Sequence, residues 1–126
     1  IQKMVLAGTL AGTLALAACS MGGSAAPVGL SPEAKAGYQL AIEAGCASCH
    51  GTNGEGRIGP KWVGLADSQV PLADGTTVTA DDAYLYESIK NPSAKRRRGV
   101  FAEMPSIQLT DEQIASIITY IRALAD

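Results

Sequence analysis

The clearest hydrophobic pattern lies at the end of the chain. Five apolar residues recur there at the three- and four-residue intervals of one helix face, namely Ile114, Ile117, Ile118, Ile121 and Leu124. The segment Thr110-Asp-Glu-Gln113 precedes them and has the form of a capping box, in which both side chains satisfy free backbone amides. The pattern therefore predicts a last helix that opens with this box and buries one face.

A first helix is predicted after residue 30. Ser31-Pro32-Glu33 supplies an N-cap, a proline at the first helical position and an acid in the first turn. The helix should run to about Ala44, because Gly45 is suited to the left-handed conformation that ends many helices. Its apolar positions are Tyr38, Leu40, Ala41 and Ile42.

The middle of the chain predicts a hairpin and another helix. The stretch 70–78, VPLADGTTV, places an Asp-Gly turn between apolar positions, which is typical of a short β-hairpin. A helix then begins at Thr79, has Asp81 and Asp82 in its first turn, and stops before Asn91-Pro92. The residues that it should turn inward are Tyr84, Leu85 and Ile89. The prediction is an all-α fold of three main helices and long loops, with one hairpin near 70–78.

Residues 1–19 resemble a bacterial secretory leader. Lys3 precedes an apolar run from Met4 to Ala18, and Leu16-Ala17-Ala18-Cys19 resembles a lipobox, which predicts cleavage and lipidation at Cys19. The alternative is an uncleaved membrane helix, because the uncharged stretch exceeds the roughly 20 residues that span a bilayer. Both interpretations predict a domain on the periplasmic or extracytoplasmic face of the cytoplasmic membrane, since the positive end stays inside.

The rest of the chain is predicted to form one small domain. Residues 20–30 are small and Gly/Ser/Pro-bearing, as in a flexible linker, which leaves 31–126 for the domain. The chain has one Trp, one Phe and four Tyr, so a group from outside the protein is expected to fill its centre. A net charge of −2 is too mild to indicate nucleic acid, and the predicted compartment excludes that partner.

Two of the three cysteines and the single histidine lie together in Cys46-Ala-Ser-Cys49-His50. C-x-x-C-H is the attachment signature of c-type haem. Cysteines about one turn apart can both form thioethers with the haem vinyl groups, and the adjacent His50 can give its imidazole nitrogen to iron. Covalent attachment also suits a domain that is too small and too poor in aromatics to build a large apolar pocket.

Three other interpretations of this motif fit less well. A structural zinc site needs four ligands, and the sequence has no second cysteine pair and no other histidine. A thioredoxin-like pair belongs at a helix start beside a parallel sheet, whereas this motif follows a helix. A disulfide between Cys46 and Cys49 leaves His50 without a role.

Met104 is the candidate for the second axial ligand of the iron. It lies 54 residues after His50, in a loop before the last helix, and Met4 and Met21 both fall outside the domain. Ligation by Met and His raises the reduction potential of haem. Pro105 has a fixed φ and stiffens the loop that must hold this weak ligand. The alternative is a methionine that only fills the core.

Taken together, the C-x-x-C-H motif after a first helix and Met-Pro before a last helix resemble a class I c-type cytochrome over residues 33–126. The resemblance implies a small cytochrome c fold around one covalent haem c. It also implies that the carbonyl of Pro60, in Gly59-Pro60, accepts the Nδ1 proton of the ligating histidine. Gly37 and Tyr120 match the small and aromatic pair at which the first and last helices cross.

A narrower likeness concerns GPKWVGL, the hairpin region and MPSIQLTDEQ. These stretches are similar to the cytochrome c domain fused to subunit II of some haem–copper oxidases, and to related respiratory-chain cytochromes. That likeness implies that Trp62 packs by the haem edge or propionates. Since the sequence contains no copper-binding domain, the domain type carries over and the oxidase identity does not.

The run Lys95-Arg-Arg-Arg98 is the strongest local charge in an otherwise acidic domain. One interpretation is a solvated loop. The other is docking to an acidic surface of a redox partner, which accelerates encounter and is screened by salt.

With His50 and Met104 both on the iron, no substrate site remains, so we expect an electron-transfer protein without catalytic residues rather than an enzyme. The expected function is transfer of single electrons between respiratory or photosynthetic partners. We expect the protein to act as a subunit of a membrane complex, such as a quinol-oxidising complex or a terminal oxidase. The alternatives are a freely shuttling tethered carrier, or a haem enzyme with an open iron site if Met104 does not bind.

Overall fold

The computed structural model of the protein describes residues 25–125, so the predicted leader, its Cys19 and residues 20–24 lie outside the described range. The described elements are, in chain order, α1 Pro32–Glu43, α2 Ala47–His50, β1 Gln69–Pro71, β2 Thr77–Thr79, α3 Asp82–Lys90 and α4 Asp111–Ala123. Three longer helices, one short helix and a small hairpin thus account for the regular structure in this range.

None of the helices between residues 25 and 125 has the length and hydrophobicity that a membrane crossing requires.

Both predicted ends of α1 and the predicted start of α4 are confirmed. The Ser31 hydroxyl accepts a hydrogen bond from the Ala34 amide at 3.2 Å, and Gly45 adopts φ +81° just beyond the last turn of α1. At α4, the Gln113 amide donates to the Thr110 hydroxyl, and the Gln113 side chain accepts from the Thr110 amide at 2.9 Å. Local capping chemistry therefore places both ends of α1 and the start of α4.

The predicted start of α3 is wrong by three residues. Thr79 is the last residue of β2, where it pairs with Gln69, and α3 begins at Asp82. Asp81 is the N-cap, and its carboxylate accepts from the Tyr84 amide at 2.8 Å. Pairing within the hairpin therefore takes Thr79 into a strand, and an aspartate performs the capping role instead.

The predicted hairpin near 70–78 is confirmed as an antiparallel pair of short strands. Val70 lies opposite Val78 and is fully buried, which fixes the register of the pair against the core. The hairpin is a small addition to a fold that is otherwise helical.

Helices α1 and α4 cross closely, and their contact is the centre of the core. At the crossing Gly37 lies against Ser116 and Tyr120, and the ring of Tyr120 meets Tyr38 edge-on at a centroid distance of 5.3 Å. The small and aromatic pair expected at this crossing, Gly37 and Tyr120, is confirmed. The five apolar residues predicted for the buried face of α4 are all buried.

Helix α3 packs on α4. Its Leu85 and Ile89 are buried as predicted, while Tyr84 is half-buried. The end of the predicted linker also contacts the domain. The Tyr38 hydroxyl donates to the Ala25 carbonyl at 3.3 Å, and Ala26 packs against the core.

Candidate functional site

The Cys-x-x-Cys-His motif lies on α2, a single helical turn that directly follows α1. The Cys46 amide donates to the Ala41 carbonyl at 2.9 Å, and the His50 amide donates to the Cys46 carbonyl at 2.9 Å. The first bond ties α2 to α1, and the second is the i to i−4 bond of a helical turn. Cys46 and Cys49 therefore sit one turn apart, with His50 following at once.

This turn forms one wall of a cavity of about 360 Å³. Other parts of the wall come from α3 and from the segment between α3 and α4. The six residues predicted as cofactor ligands or contacts all line this cavity, namely Cys46, Cys49, His50, Pro60, Trp62 and Met104. The fold thus brings together residues that are 58 positions apart in the sequence.

Both cysteines in the cavity wall are free thiols. Cys46 is buried and Cys49 is half-buried. Burial raises the pKa of the Cys46 thiol, because a thiolate would lose its hydration there. The two sulfur-bearing side chains therefore line the same cavity.

The His50 ring is held by a backbone carbonyl behind it. Its Nδ1 lies 2.8 Å from the Pro60 oxygen, as predicted. Since a carbonyl can only accept, Nδ1 carries the proton and Nε2 keeps its lone pair. Burial also lowers the pKa of His50, although the bond to Pro60 partly opposes this shift. The imidazole is thus neutral with one free nitrogen, which is the form that binds metals.

Tight backbone contacts hold the loop that carries Pro60 against α2. The Gly59 amide donates to the Cys49 carbonyl at 2.9 Å, and the Gly56 amide donates to the His50 carbonyl at 2.7 Å. A Cβ at Gly59 would lie 3.1 Å from His50 Cε1, so glycine lets the loop approach the imidazole closely.

Trp62 is buried and stacks on His50. The ring centroids are 4.6 Å apart with an interplanar angle of 23°, and Trp62 also meets Tyr120 in an edge arrangement at a centroid distance of 6.1 Å. Trp62 therefore connects the imidazole to the α1–α4 crossing. The expectation that it packs by a cofactor edge remains a prediction, and its contact with His50 was not foreseen.

Met104 is half-buried on the segment between α3 and α4, within the cavity wall.

The basic run that precedes Met104 is partly engaged in ion pairs. Lys95 pairs with Glu87, Arg96 lies 3.5 Å from Glu103, and Arg97 is half-buried.

Sequence reasoning missed Ser88 in the cavity wall. Ser88 follows Leu85 by three residues on the inward face of α3, and its hydroxyl is buried without a hydrogen-bond partner among residues 25–125. The sequence feature that could have identified Ser88 is a polar residue on the otherwise apolar face of α3. No signal marked Ile58, which lies in the cavity wall and is 67% exposed.

Within the described part of the chain, no group of three or more His, Cys, Asp or Glu side chains is arranged to hold a metal ion.

The comparisons with known proteins agree with this geometry. A family model described as Cytochrome c matches residues 34–125, which is most of the chain. No curated protein matches the chain.

Proposed function

Because this chain belongs to the cytochrome c family, we propose that it is a membrane-anchored monohaem cytochrome that passes single electrons between respiratory or photosynthetic partners. The family membership makes it an electron-transfer protein with one covalent haem c, on a domain type that is extracytoplasmic in bacteria. We propose the membrane anchor, the identity of the ligand residues and the nature of the partners.

We assign the two covalent attachment points to Cys46 and Cys49. Their thiols would hold the haem through two thioether bonds, each formed by addition of S–H across a vinyl group. The placement of both free thiols one turn apart in the cavity wall supports this assignment. The outer compartment also suits it, because thiol chemistry there is under oxidising conditions.

We assign to His50 and Met104 the role of holding the haem iron. The observation that carries this assignment is the hydrogen bond from His50 Nδ1 to the Pro60 carbonyl, which leaves Nε2 as the only ring nitrogen able to bind metal. Met104 lies in the same cavity wall and supplies the thioether. These donors, one imidazole and one thioether, fit haem and do not fit a structural zinc site.

Haem supplies the one-electron exchange at its iron, and the protein supplies ligands, burial and a contact surface. Two protein ligands would leave no coordination position for a substrate. Trp62 holds the imidazole plane by stacking, and most of the cavity wall that would surround the haem is apolar. A rigid ligand set favours fast electron exchange, because little has to move when the charge changes.

We propose that the partners are redox proteins, namely other subunits of a membrane complex such as a quinol-oxidising complex or a terminal oxidase. Basic and apolar groups at the cavity support a docking role. Arg96 and Ile58 lie in its wall, and Phe101, which is 90% exposed, lies between two residues of the wall. The leader and Cys19 are proposed as the membrane anchor. Co-purification with other subunits would support a fixed complex, whereas recovery as a single membrane-bound species would support a tethered shuttle.

The ligand assignment is tested by Met104→Ala in the haem-loaded protein. We expect loss of the weak charge-transfer band at the red end of the spectrum, which reports sulfur ligation. We also expect a potential lower by roughly 0.1–0.3 V, within the range of about 0.8 V that axial ligands set. Carbon monoxide should bind the reduced variant and not the wild type.

Ser93→Ala is the matched control, because Ser93 lines the same cavity but its hydroxyl is exposed and already bonded to Asn91. This variant should keep the band and the potential. A colourless wild type, or one whose reduced form binds carbon monoxide readily, would overturn the proposed function.

A further inference from the structure

The segment that carries Met104 is long and has little structure of its own. Residues 91–110 connect α3 to α4 without a helix or a strand. From Phe101 to Leu109, no backbone group forms a hydrogen bond with the backbone of another described residue. A thioether is a weak ligand, and the entropy of a loop increases with its length. Something outside this stretch must therefore restrict where Met104 lies.

The hairpin provides such a restraint a few residues before Met104. The Ala73 amide donates to the Arg96 carbonyl at 2.8 Å, and the Arg98 amide donates to the Pro71 carbonyl at 2.9 Å. Between these bonds, Leu72 and Arg97 form an isolated antiparallel bridge. Residues 96–98, here called the anchor segment, thus add to the free edge of β1 and its extension.

The hairpin is a firm attachment point, because it is fixed in the core. Val70 is fully buried and Leu72 is 4% exposed, and both belong to the main hydrophobic cluster. The capped start of α4 at Thr110 holds the other end of the loop. The chain that remains to be ordered around Met104 is shortened from the whole connection to the part between residues 98 and 110.

We propose that the hairpin positions Met104 for iron. Pairing of residues 71–73 with the anchor segment restricts the loop so that the thioether stays at its coordination position. In this proposal the amides of Ala73 and Arg98 are positioning groups that act through the backbone. The proposal rests on the assignment of Met104 as a ligand, and it gives the hairpin a role in the strength of that ligation.

The turn formed by residues 72–75 allows the hydrogen bond from the Ala73 amide to be removed selectively. The Gly75 amide donates to the Leu72 carbonyl at 3.2 Å, so Ala73 is the second residue of a four-residue turn. Proline is favoured at that position and has no amide hydrogen. Ala73→Pro should therefore remove the bond to Arg96 while keeping the turn. Arg98→Pro removes the other bond, and Arg98→Ala is its matched control, since it removes the side chain and keeps the amide.

The experiment measures imidazole binding to the oxidised, haem-loaded protein, because imidazole competes with Met104 for iron. Each lost hydrogen bond should raise the apparent imidazole affinity about three- to tenfold in Ala73→Pro and Arg98→Pro. The charge-transfer band that reports sulfur ligation should weaken in both. Arg98→Ala should stay within about twofold of the wild type, which separates a backbone effect from a charge effect.

Unfolding midpoints of the four proteins are measured in parallel. Weaker ligation in Ala73→Pro at an unchanged midpoint would support the positioning role. Wild-type affinity in both proline variants, or an equal change in Arg98→Ala, would overturn it. A wild type without the sulfur band would instead overturn the ligand assignment in the proposed function, so the two failures are distinguishable.

Discussion

At the residue scale, Gly37 decides how closely α1 and α4 approach, because it has no side chain. A Cβ at Gly37 would lie 2.0 Å from the Ser116 carbonyl oxygen and 2.9 Å from the Tyr120 Cβ. The first of these atoms belongs to the backbone, so it cannot move unless α4 moves. Because α1 leads directly into the cysteine-bearing turn, the spacing of the two helices also sets the position of the site.

We expect Gly37→Ala to destabilise the protein by about 3 kcal/mol, at the upper end of the cost of overpacking a core. Denaturant unfolding of the haem-loaded protein measures this change. Ala36→Ser adds one atom at an exposed position of the same helix and should change the free energy of unfolding by less than about 0.5 kcal/mol. Equal stability of Gly37→Ala and the wild type would contradict the close crossing.

At the element scale, helix caps determine where the segments around the site begin. α1 and α4 start at a serine and a threonine whose hydroxyls accept amide hydrogen bonds, and α3 starts at an aspartate that does the same. The cap of α4 matters most for function, because the connection that carries Met104 ends there. Local chemistry at Thr110 thus fixes one end of a long loop.

Thr110→Ala should cost about 1 kcal/mol in the free energy of unfolding, which is the usual value of an N-cap hydroxyl. Thr119→Ala on the same helix is the control. Its hydroxyl donates back to the Ala115 carbonyl at 3.1 Å, an interaction that does not stabilise helices, so the expected change is near zero. The prediction fails if the two alanine variants unfold at the same denaturant concentration.

At the scale of the whole molecule, charge is unevenly arranged around a net value of −2. Arg122 forms ion pairs with Asp67 and Asp82, and so links the end of α4 to the loop before β1 and to the start of α3. The basic run lies elsewhere, beside the cavity, where two of its four charges pair with glutamates. Arg98 makes no ion pair within residues 25–125, so its charge is available to an acidic partner.

Electron transfer with an acidic redox partner should therefore depend on Arg98. We expect Arg98→Gln to lower the bimolecular rate at low ionic strength roughly two- to fivefold and to flatten its salt dependence, because steering by charge is screened by ions. Stopped-flow kinetics at several salt concentrations measures both the bimolecular rate and its salt dependence. Lys35→Gln makes the same change in charge on α1, away from the cavity wall, and should have a smaller effect. Identical rates and slopes for the two variants would reject docking at the basic run.

Local patterns in the sequence were sufficient for both ends of α1, for the start of α4 and for the C-x-x-C-H motif, but not for the start of α3. A cap and a C-x-x-C-H motif are formed by residues within four positions of each other, so their chemistry can be predicted before the fold is known. Three features were predicted from local patterns, namely both ends of α1, the start of α4 and the hairpin, and the Gly37–Tyr120 crossing was predicted from the family resemblance. The structure contains all of them.

The tertiary structure alone decided the contacts between residues of different segments of the chain. The stacking of Trp62 on His50, the bridge from Leu72 to Arg97 and the strand role of Thr79 each depend on segments that meet only after folding. Neither partner of such a pair carries a local preference for it. Hydrophobic packing brings the segments together, and the backbone groups left free at that point then determine which of them pair.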